Sequence, residues 1–154
     1  EGVGTSFMKK VDIRENDVLV LISNSGRNPL AIEMAIEAKK KGAKIVVITS
    51  MASTTVLPSK HSSGKNLYQY GDVVIDNCVK EGDAMISLDG LDTEICGMSA
   101  ITTAMIIQAA VLKAAELLLA EGIVPPVFKS QNIIGGAEYN DKLVAKYFDR
   151  IYHI

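Results

Sequence analysis

Hydroxyl and amide side chains are concentrated in a short loop, residues 23–28, whose sequence is Ser-Asn-Ser-Gly-Arg-Asn. Ser23 and Ser25 supply hydroxyl donors, and Asn24 and Asn28 supply side-chain amides. Gly26 lets the backbone come close to a bound group, because it has no side chain. Neutral donors of this kind hold a phosphate without a lysine when backbone N–H groups also point at it. The loop therefore predicts an anion site, with phosphate as the expected anion.

The flanking residues predict that this loop joins a buried strand to a helix. Val18–Ile22 is a continuous apolar run, which is typical of a strand covered on both faces in a parallel sheet. Asn28 followed by Pro29 predicts an N-cap and the first helical residue, and Gly42 predicts the end of that helix. A helix N-terminus at the carboxyl end of a strand favours an anion, because it offers free N–H groups and a partial positive charge.

A second apolar strand, Lys44–Thr49, follows the helix and completes a βαβ unit. It ends in Thr49 and Ser50, whose hydroxyls we expect at the same edge of the sheet as the loop. The alternative interpretation is that Ser, Asn and Gly only form a turn and cap a helix. Two other phosphate motifs are absent from the sequence: there is no Gly-x4-Gly-Lys-Ser/Thr, and no Gly-x-Gly-x-x-Gly follows a strand.

The remaining pattern predicts a mixed α/β chain forming a single domain over residues 1–154. Residues 1–10 are interpreted as the tail of a preceding helix, and residues 50–71 as a long loop with a short helix near 66–70. The further predicted elements are strands at 72–76 and 84–88, a loop at 90–97, a long helix at 99–121 and an amphipathic helix at 140–152 with Leu143, Val144, Tyr147 and Ile151 facing inward.

Composition excludes several classes of function. The net charge is −2 and no basic cluster stands out, so nucleic acid is not an expected partner. The two cysteines and two histidines have no zinc-ligand spacing, and the free thiols favour a cytoplasmic protein without a metal or cofactor. The apolar run 104–120 contains Gln108, Lys113 and Glu116, which favours a buried helix over a membrane span. Its excess of apolar residues also suggests a dimer interface.

Three other polar positions are candidates for a site. His61, in the polar loop after the second strand, is a candidate general acid, because histidine is a common proton donor in catalysis; the alternative is a solvated loop residue. Asp83 follows Gly82 and is interpreted as a turn residue, with a site carboxylate as the alternative. Asp76 and Asn77 end the third strand, where a binding role and a plain turn stay equally open.

These motifs resemble the sugar isomerase (SIS) domain family. The strand ending in Ser-x-Ser-Gly stands here at residues 22–28, with Asn28 in place of the usual Thr, and residues 46–50 match the next strand. Residues 58–65, 72–78 and 125–128 are similar to a bacterial group of SIS proteins related to N-acetylmuramic acid 6-phosphate etherases and phosphoheptose isomerases. The resemblance implies a flavodoxin-like three-layer αβα sandwich with a five-stranded parallel sheet, and dimers or tetramers.

The resemblance also implies a function and further site residues. It implies that Ser23, Asn24, Ser25, Gly26, Asn28, Thr49 and Ser50 surround the phosphate of a phosphosugar. It places Ser99 near the sugar, where capping the long helix is the alternative. Family members move a proton with a glutamate, for which Glu138 is the candidate; alternatively, Glu138 only favours the start of the last helix. The family's earlier strand, which ends in a second glycine- and serine-containing loop, has no counterpart here, so we expect an N-terminally truncated domain.

Three functions follow as hypotheses. The first is a phosphosugar enzyme of isomerase or etherase type, acting on a small-molecule substrate as a homo-oligomer. The second is a non-catalytic phosphosugar sensor, because the fold does not decide between binding and turnover. The third is a nucleotide-binding α/β domain, which protection by nucleotides but not by sugar phosphates would support.

Overall fold

The computed structural model describes residues 1–150, which divide into two compact units, Glu1–Ile107 and the remainder from Gln108 onward. Each unit is described by itself. The elements of the chain are α1 (Val3–Met8), β1 (Val18–Ile22), α2 (Pro29–Lys40), β2 (Lys44–Thr49), α3 (Met51–Thr54), a 3-10 helix (Leu67–Tyr70), β3 (Val73–Asp76), β4 (Ala84–Ile86), β5 (Ile95–Gly97), α4 (Ser99–Ala120), α5 (Gly136–Tyr147) and a 3-10 turn (Phe148–Arg150).

A three-stranded parallel sheet forms the centre of the first unit. Its order is β1-β2-β3, with Ile22 opposite Ile48 at one end of the first pair and Thr49 opposite Asp76 at the end of the second. The carboxyl ends of all three strands therefore meet at one edge, which is where parallel α/β sheets bind ligands. The predicted α/β class with a parallel sheet is confirmed, and the described residues supply three parallel strands.

Helix α2 covers one face of this sheet because its apolar residues recur at helical spacing. Ile32, Ala35 and Ala38 are fully buried against β1 and β2. The predicted boundaries are confirmed: Pro29 is the first helical residue after an extended Asn28, and Gly42 adopts the left-handed conformation, with φ +81°, just past the C-terminus. The core around α2 consists of Met8, Leu21, Ile32, Ala35, Ala38, Ala43, Ile45, Val47 and Leu67.

The opposite face of β1 is open. Val18, Val20 and Ile22 alternate along the strand with Leu19 and Leu21 and are 58%, 41% and 52% exposed. Alternation places these three side chains on the face away from α2. The apolar run predicted a strand covered on both faces, and within residues 1–150 only the face toward α2 is covered.

The first residues form α1, a short helix held against α2 by a buried glutamate. The carboxylate of Glu33, which is 5% exposed, accepts hydrogen bonds from the N–H groups of Gly2, Gly4 and Thr5. These are N–H groups that the first turn of a helix leaves without intrahelical partners. A Cβ on Gly4 would lie 2.5 Å from the Leu30 carbonyl oxygen, so only glycine permits this close approach. A helix thus lies in this segment, but it begins at Val3 after a left-handed Gly2, and its interpretation as the tail of a preceding helix stays a prediction.

Two short elements lie in segments that were predicted to be loops. Strand β5 lies in the predicted loop 90–97 and pairs antiparallel with β4, while α3 lies in the predicted loop 50–71. The short helix near 66–70 is confirmed as a 3-10 turn. Elements of three or four residues carry too little periodicity to be recognised, because their hydrogen bonds depend on partners distant in sequence.

The long helix α4 differs from its prediction in one respect. It begins at Ser99 as predicted, but none of its 22 residues is buried within the part of the chain that the structure describes. The expectation of a buried helix at 104–120 is therefore wrong for these residues, because no described segment encloses it. By length and composition alone α4 is also apolar enough to cross a membrane.

The second unit carries α5, which begins at Gly136 rather than at the predicted residue 140. Asn140 is buried and ties the helix to the preceding segment, since its side chain accepts from Lys129 N at 2.9 Å and donates to Lys129 O at 2.8 Å. Leu143, Val144 and Tyr147 are half-buried, in agreement with the predicted inward face. The predicted residues Ile151 and Tyr152 lie outside the described residues.

Candidate functional site

The loop between β1 and α2 depends on Gly26. This residue has φ +62°, a conformation in which a side chain is strained, and it is buried. A Cβ at this position would lie 2.5 Å from Thr54 Oγ1 and 3.2 Å from Thr49 Oγ1. Thr54 is itself fully buried, and its hydroxyl has no hydrogen-bond partner among the described residues. The loop therefore packs its backbone directly on two threonines, and only glycine fits.

Three carbonyl oxygens of the loop accept hydrogen bonds from the protein. Asn24 O accepts from Ser50 N at 3.0 Å and from Thr49 Oγ1 at 3.1 Å. Gly26 O accepts from Leu67 N at 2.7 Å, and Arg27 O accepts from Lys60 N at 3.0 Å. These bonds turn the negative ends of the peptide groups toward the protein.

The N–H groups of the same loop are left for another acceptor. Within the loop, only Gly26 N finds a side-chain acceptor, donating to Ser23 Oγ at 3.2 Å. The amides of Asn24, Ser25 and Asn28 donate to no acceptor among residues 1–150. They lie beside the N-terminus of α2, a 12-residue helix whose partial positive charge points the same way. Free donors next to a helix N-terminus form an anion-binding arrangement.

Asn77 connects this loop to the third strand. Its side-chain amide donates to Asn24 Oδ1 at 2.9 Å, and its backbone N–H donates to Thr49 O at 2.9 Å. The residue itself is buried, at 4% exposed, while its bond to Asn24 is partly buried. The sequence left open whether Asn77 is only a turn residue; the structure places it as a support beneath the loop.

A cavity of about 490 Å³ opens in front of the loop. Of the predicted binding residues, the loop's Ser23, Asn24, Ser25 and Asn28 line it. The side chains of Ser25 and Asn28 make no hydrogen bond within the described chain, and Asn28 does not cap α2 with its amide. Ser23 and Ser25 thus reach a cavity at the top of the sheet rather than packing inward.

Five lining residues were not predicted as binding residues: Ser53, Leu57, Glu81, Gly82 and Asp83. Ser53 and Leu57 follow β2 in the Ser/Thr-rich segment, and the other three follow β3. All five follow the carboxyl end of a parallel strand, and this position in the sequence is the signal that could have identified them. The sequence weighed Asp83 as a possible site carboxylate but did not consider Glu81.

Thr49 and Ser50 support the loop from beneath. Both are fully buried, and neither is among the cavity-lining residues. The Thr49 hydroxyl donates to Asn24 O, while the Ser50 hydroxyl donates to Val79 O and accepts from Ser53 N at 3.2 Å. Their predicted contact with a ligand stays a prediction, whereas their hydrogen bonds hold the residues that do line the cavity.

Ser99 is held by Asp83. The Asp83 carboxylate accepts from Ser99 N at 2.8 Å and from Ser99 Oγ at 2.9 Å. Asp83 thus provides a negative charge at the first residue of α4, where the helix N-terminus favours one. Ser99 binds inside the protein in this structure, and its predicted role toward a sugar stays a prediction.

The two predicted catalytic residues lie apart from the cavity lining. His61 is half-buried in the loop after α3, and its Nδ1 lies 2.8 Å from Ser63 Oγ. Glu138 is exposed in the first turn of α5, in the second unit. Neither is among the residues that line the cavity, so their catalytic roles stay predictions.

One group of potential metal ligands occurs in the described residues: Glu1, Glu33 and His61, with one ligand atom from each within 4.8 Å of the others. Both carboxylates already accept protein hydrogen bonds, Glu33 from three backbone amides and Glu1 from Ser62 N and Oγ. These bonds lower the pKa of Glu33, chiefly through Gly2 N, and that of Glu1, chiefly through Ser62 N. The hydrogen bonds account for the cluster without a metal.

A second hollow, of about 260 Å³, lies in the second unit. It is lined by Pro126, Phe128, Leu143 and Tyr147. Since it offers almost no polar group, it does not suit a phosphorylated ligand.

The fold and the loop together define an α/β protein with unpaired backbone donors where a parallel strand meets a helix. A model of the SIS domain matches residues 1–50, which include β1, the loop, α2 and β2. Residues 1–50 of the chain therefore belong to the SIS domain family.

Several curated relatives match nearly the whole chain. A UPF0309 protein of Listeria monocytogenes is 43% identical over all 154 residues, which cover 66% of that relative. A UPF0309 protein of Streptomyces avermitilis is 36% identical over 153 residues, covering 99% of this chain and 61% of the relative. The chain therefore spans about three fifths to two thirds of the length of these relatives. Their names state no substrate or reaction.

Proposed function

We propose that this protein binds a phosphosugar, with the phosphate held by the loop of residues 23–28. The observation that carries the proposal is the division of the loop's polar groups. The carbonyl oxygens of Asn24, Gly26 and Arg27 accept from protein donors. The backbone amides of Asn24, Ser25 and Asn28, which line the cavity, have no acceptor among the described residues. Such an arrangement favours an acceptor-only group such as phosphate. Membership of the SIS domain family supports the sugar part of the ligand.

A thermal-shift screen of the full-length protein that contains this chain tests the proposal. Sugar phosphates that bind the folded state should raise the melting temperature, since ligand binding stabilises by mass action. The Ser25→Ala variant should lose most of this response, whereas Thr93→Ala, in an exposed turn, should keep it. Equal responses in the two variants, or stabilisation by nucleotides alone, would contradict the loop assignment.

We further propose that bound phosphosugar is turned over by isomerase- or etherase-type chemistry, in which a carboxylate moves a proton. Two exposed glutamates are candidates: Glu138, from the family resemblance, and Glu81, which lines the cavity. Loss of turnover in Glu81→Gln or Glu138→Gln with retained binding would support an enzyme and identify the residue. Binding without turnover of any hexose, heptose or amino-sugar phosphate by the wild type would favour a sensor.

We also propose that copies of the protein associate through α4. Four apolar residues on one face of the helix, Ile101, Met105, Leu112 and Leu119, are 54–68% exposed. With Gln108 and Ala115 they form a stripe with the 3-4 spacing of paired helices. A stripe of this kind suits a two-fold pair of copies.

Sedimentation of the full-length protein tests this pairing. We expect a dimer for the wild type, a monomer for Leu112→Lys, and a dimer for the control Ala114→Lys on another face of α4. A Leu112→Lys dimer, or a wild-type monomer that binds lipid vesicles, would contradict pairing of α4 with a second copy.

A further inference from the structure

A polar segment that follows α3, residues 55–66, is hydrogen-bonded to the loop between β1 and α2. Gly26 O accepts from Leu67 N, directly after the end of the segment, at 2.7 Å. Arg27 O accepts from Lys60 N, within the segment, at 3.0 Å. Two consecutive carbonyl oxygens of the loop therefore have their partners here. The geometry of both bonds depends on how firmly the segment itself is held.

Asn66 closes the polar segment on itself. Its side-chain amide donates to Thr54 O and to Leu57 O, both at 2.7 Å, and the residue is 7% exposed. One buried side chain thus joins the end of the segment to its beginning. A second bond, from Ser59 Oγ to Lys65 O at 2.9 Å, lies within the same span. Closing the ends of a segment reduces the number of conformations that the residues between them can adopt.

Thr54 is the residue that the Asn66 amide holds against the loop. Thr54 is fully buried, and a Cβ built on Gly26 would lie 2.5 Å from Thr54 Oγ1 and 3.4 Å from Thr54 Cβ. The backbone of Gly26 is therefore in contact with this side chain. Helix α3, which ends at Thr54, has only four residues. Because so short a helix has little stability of its own, the position of Thr54 depends on its tertiary hydrogen bonds.

Asn66 can act on the loop without lining the cavity. Neither Asn66 nor Thr54 is among the described residues that line it. We infer that Asn66 is a positioning residue: by holding Thr54 beneath Gly26, it fixes the orientation of the loop's unpaired backbone amides. Protein interiors are closely packed and transmit displacements, so loss of the Asn66 amide should reach the loop through Thr54. The expected effect on ligand affinity rests on the proposed phosphosugar binding.

Asn140, in the second unit, provides a matched control. It is also 7% exposed, and its side chain also makes two hydrogen bonds to backbone groups, both of Lys129, at 2.9 and 2.8 Å. Replacement of either asparagine by alanine leaves buried backbone groups without their partners, which destabilises the fold. Both variants should therefore melt below the wild type, whereas only Asn66→Ala should change the loop.

Titration calorimetry with glucose 6-phosphate and amide ¹H–¹⁵N spectra of the full-length protein test the inference. In Asn66→Ala the dissociation constant should rise about fivefold or more. The amide signals of residues 24–28 should also shift in the ligand-free variant. Asn140→Ala should keep the wild-type dissociation constant and loop signals. Asn66→Ser retains one hydroxyl donor, so it provides a milder variant with a smaller change of the same kind if the alanine variant does not fold.

A double-mutant cycle tests the route through Thr54. Thr54→Ala removes the side chain beneath Gly26 but keeps the backbone carbonyl to which Asn66 donates. It should also weaken the binding of glucose 6-phosphate. The double variant should lose less affinity than the product of the two single losses, because coupled residues are not additive. Losses that multiply in the double variant would show that Asn66 and Thr54 act independently, which contradicts the inference.

The outcomes separate this inference from the proposed function. If Asn66→Ala melts at a lower temperature but binds like the wild type with unshifted loop signals, Asn66 supports only the fold and the inference is wrong. If the wild type binds no sugar phosphate, the proposed function fails. The loop signals then still test the role of Asn66, because they are measured without a ligand.

Discussion

The side-chain amide of Asn77 donates a hydrogen bond to Asn24 Oδ1 at 2.9 Å, joining two residues that are 53 positions apart in the chain. One residue follows β3 and the other follows β1. The bond therefore spans the carboxyl edge of the sheet and connects the binding loop to a strand that is not its neighbour in the sheet.

Replacement of Asn77 by alanine should weaken ligand binding without changing any residue of the loop. The substitution leaves Asn24 Oδ1 and Val79 N without their buried partner, which costs about 1–3 kcal/mol of stability. Loosening of the loop should lower phosphosugar affinity about fivefold or more, which corresponds to about 1 kcal/mol. Titration calorimetry and thermal unfolding of the same samples measure both effects. An unchanged dissociation constant together with a lower melting temperature would show that Asn77 supports only the fold.

Gly26→Ala should abolish the anion site. The new Cβ would lie 2.5 Å from Thr54 Oγ1, and the residue would keep a φ of +62°, which costs an alanine about 1–2 kcal/mol by itself. The loop must shift to relieve the contact, so we expect at least a tenfold loss of phosphosugar affinity in addition to lower stability.

Gly64→Ala is the matched control for that experiment. Gly64 also has a positive φ, +69°, but a Cβ there would meet nothing within 4 Å. Gly64→Ala should lose stability, because alanine is strained at a positive φ, but its affinity for the phosphosugar should be unchanged. Equal loss of affinity in both variants would indicate that general destabilisation, and not the contact with Thr54, is responsible.

Low pH should weaken the attachment of α1 to α2, because that attachment depends on the ionised carboxylate of Glu33. The amides of Gly2, Thr5 and Gly4 lower the pKa of Glu33 below its ordinary value of 4.5 in the folded protein. A group with a lowered folded pKa stabilises the fold above the unfolded value and loses this contribution as the pH falls through the folded value. The wild type should therefore be more stable than Glu33→Gln above pH 4.5, and the difference should shrink below it.

Urea unfolding of the two proteins across this pH range measures the effect. The control is Glu37→Gln, since among the described residues Glu37 pairs with Lys40 alone, near the C-terminus of α2. A constant difference between the wild type and Glu33→Gln at all pH values would contradict the role of the Glu33 charge.

Asp83→Ala should destabilise the start of α4. Asp83 provides both hydrogen bonds to Ser99, and hydrogen bonds to a charged group contribute about 1.5–3 kcal/mol. For a chain of this length, the melting temperature should fall by several degrees. Asp89→Ala, in the exposed turn between β4 and β5, should melt like the wild type. If Asp83→Ala has the same melting temperature as Asp89→Ala, the Asp83–Ser99 contact does not stabilise the protein.

The boundaries of the βαβ unit could be predicted because local rules determine them. An apolar run bounded by polar residues predicted β1, Pro29 marked the first residue of α2, and Gly42 its end. Each of these signals depends on the conformational preferences of a few adjacent residues. The position of Ser23 and Ser25 at the cavity followed from the same local order, since a loop after a parallel strand lies at the sheet's carboxyl edge.

The other side of the cavity could not be predicted in this way. Glu81 approaches the loop because β3 pairs with β2, and Asn77 reaches Asn24 for the same reason. The hydrogen bonds of Thr49 and Ser50 to protein carbonyls beneath the loop also depend on this packing and were not predicted.

The sequence by itself thus determined the class of fold, the family pattern and the loop that offers its amides, because each depends on short-range order along the chain. Only the tertiary structure decided which side chains line the cavity beside that loop and which support the loop through hydrogen bonds. Those outcomes depend on strand pairing and on the satisfaction of buried polar groups, which join residues far apart in the sequence.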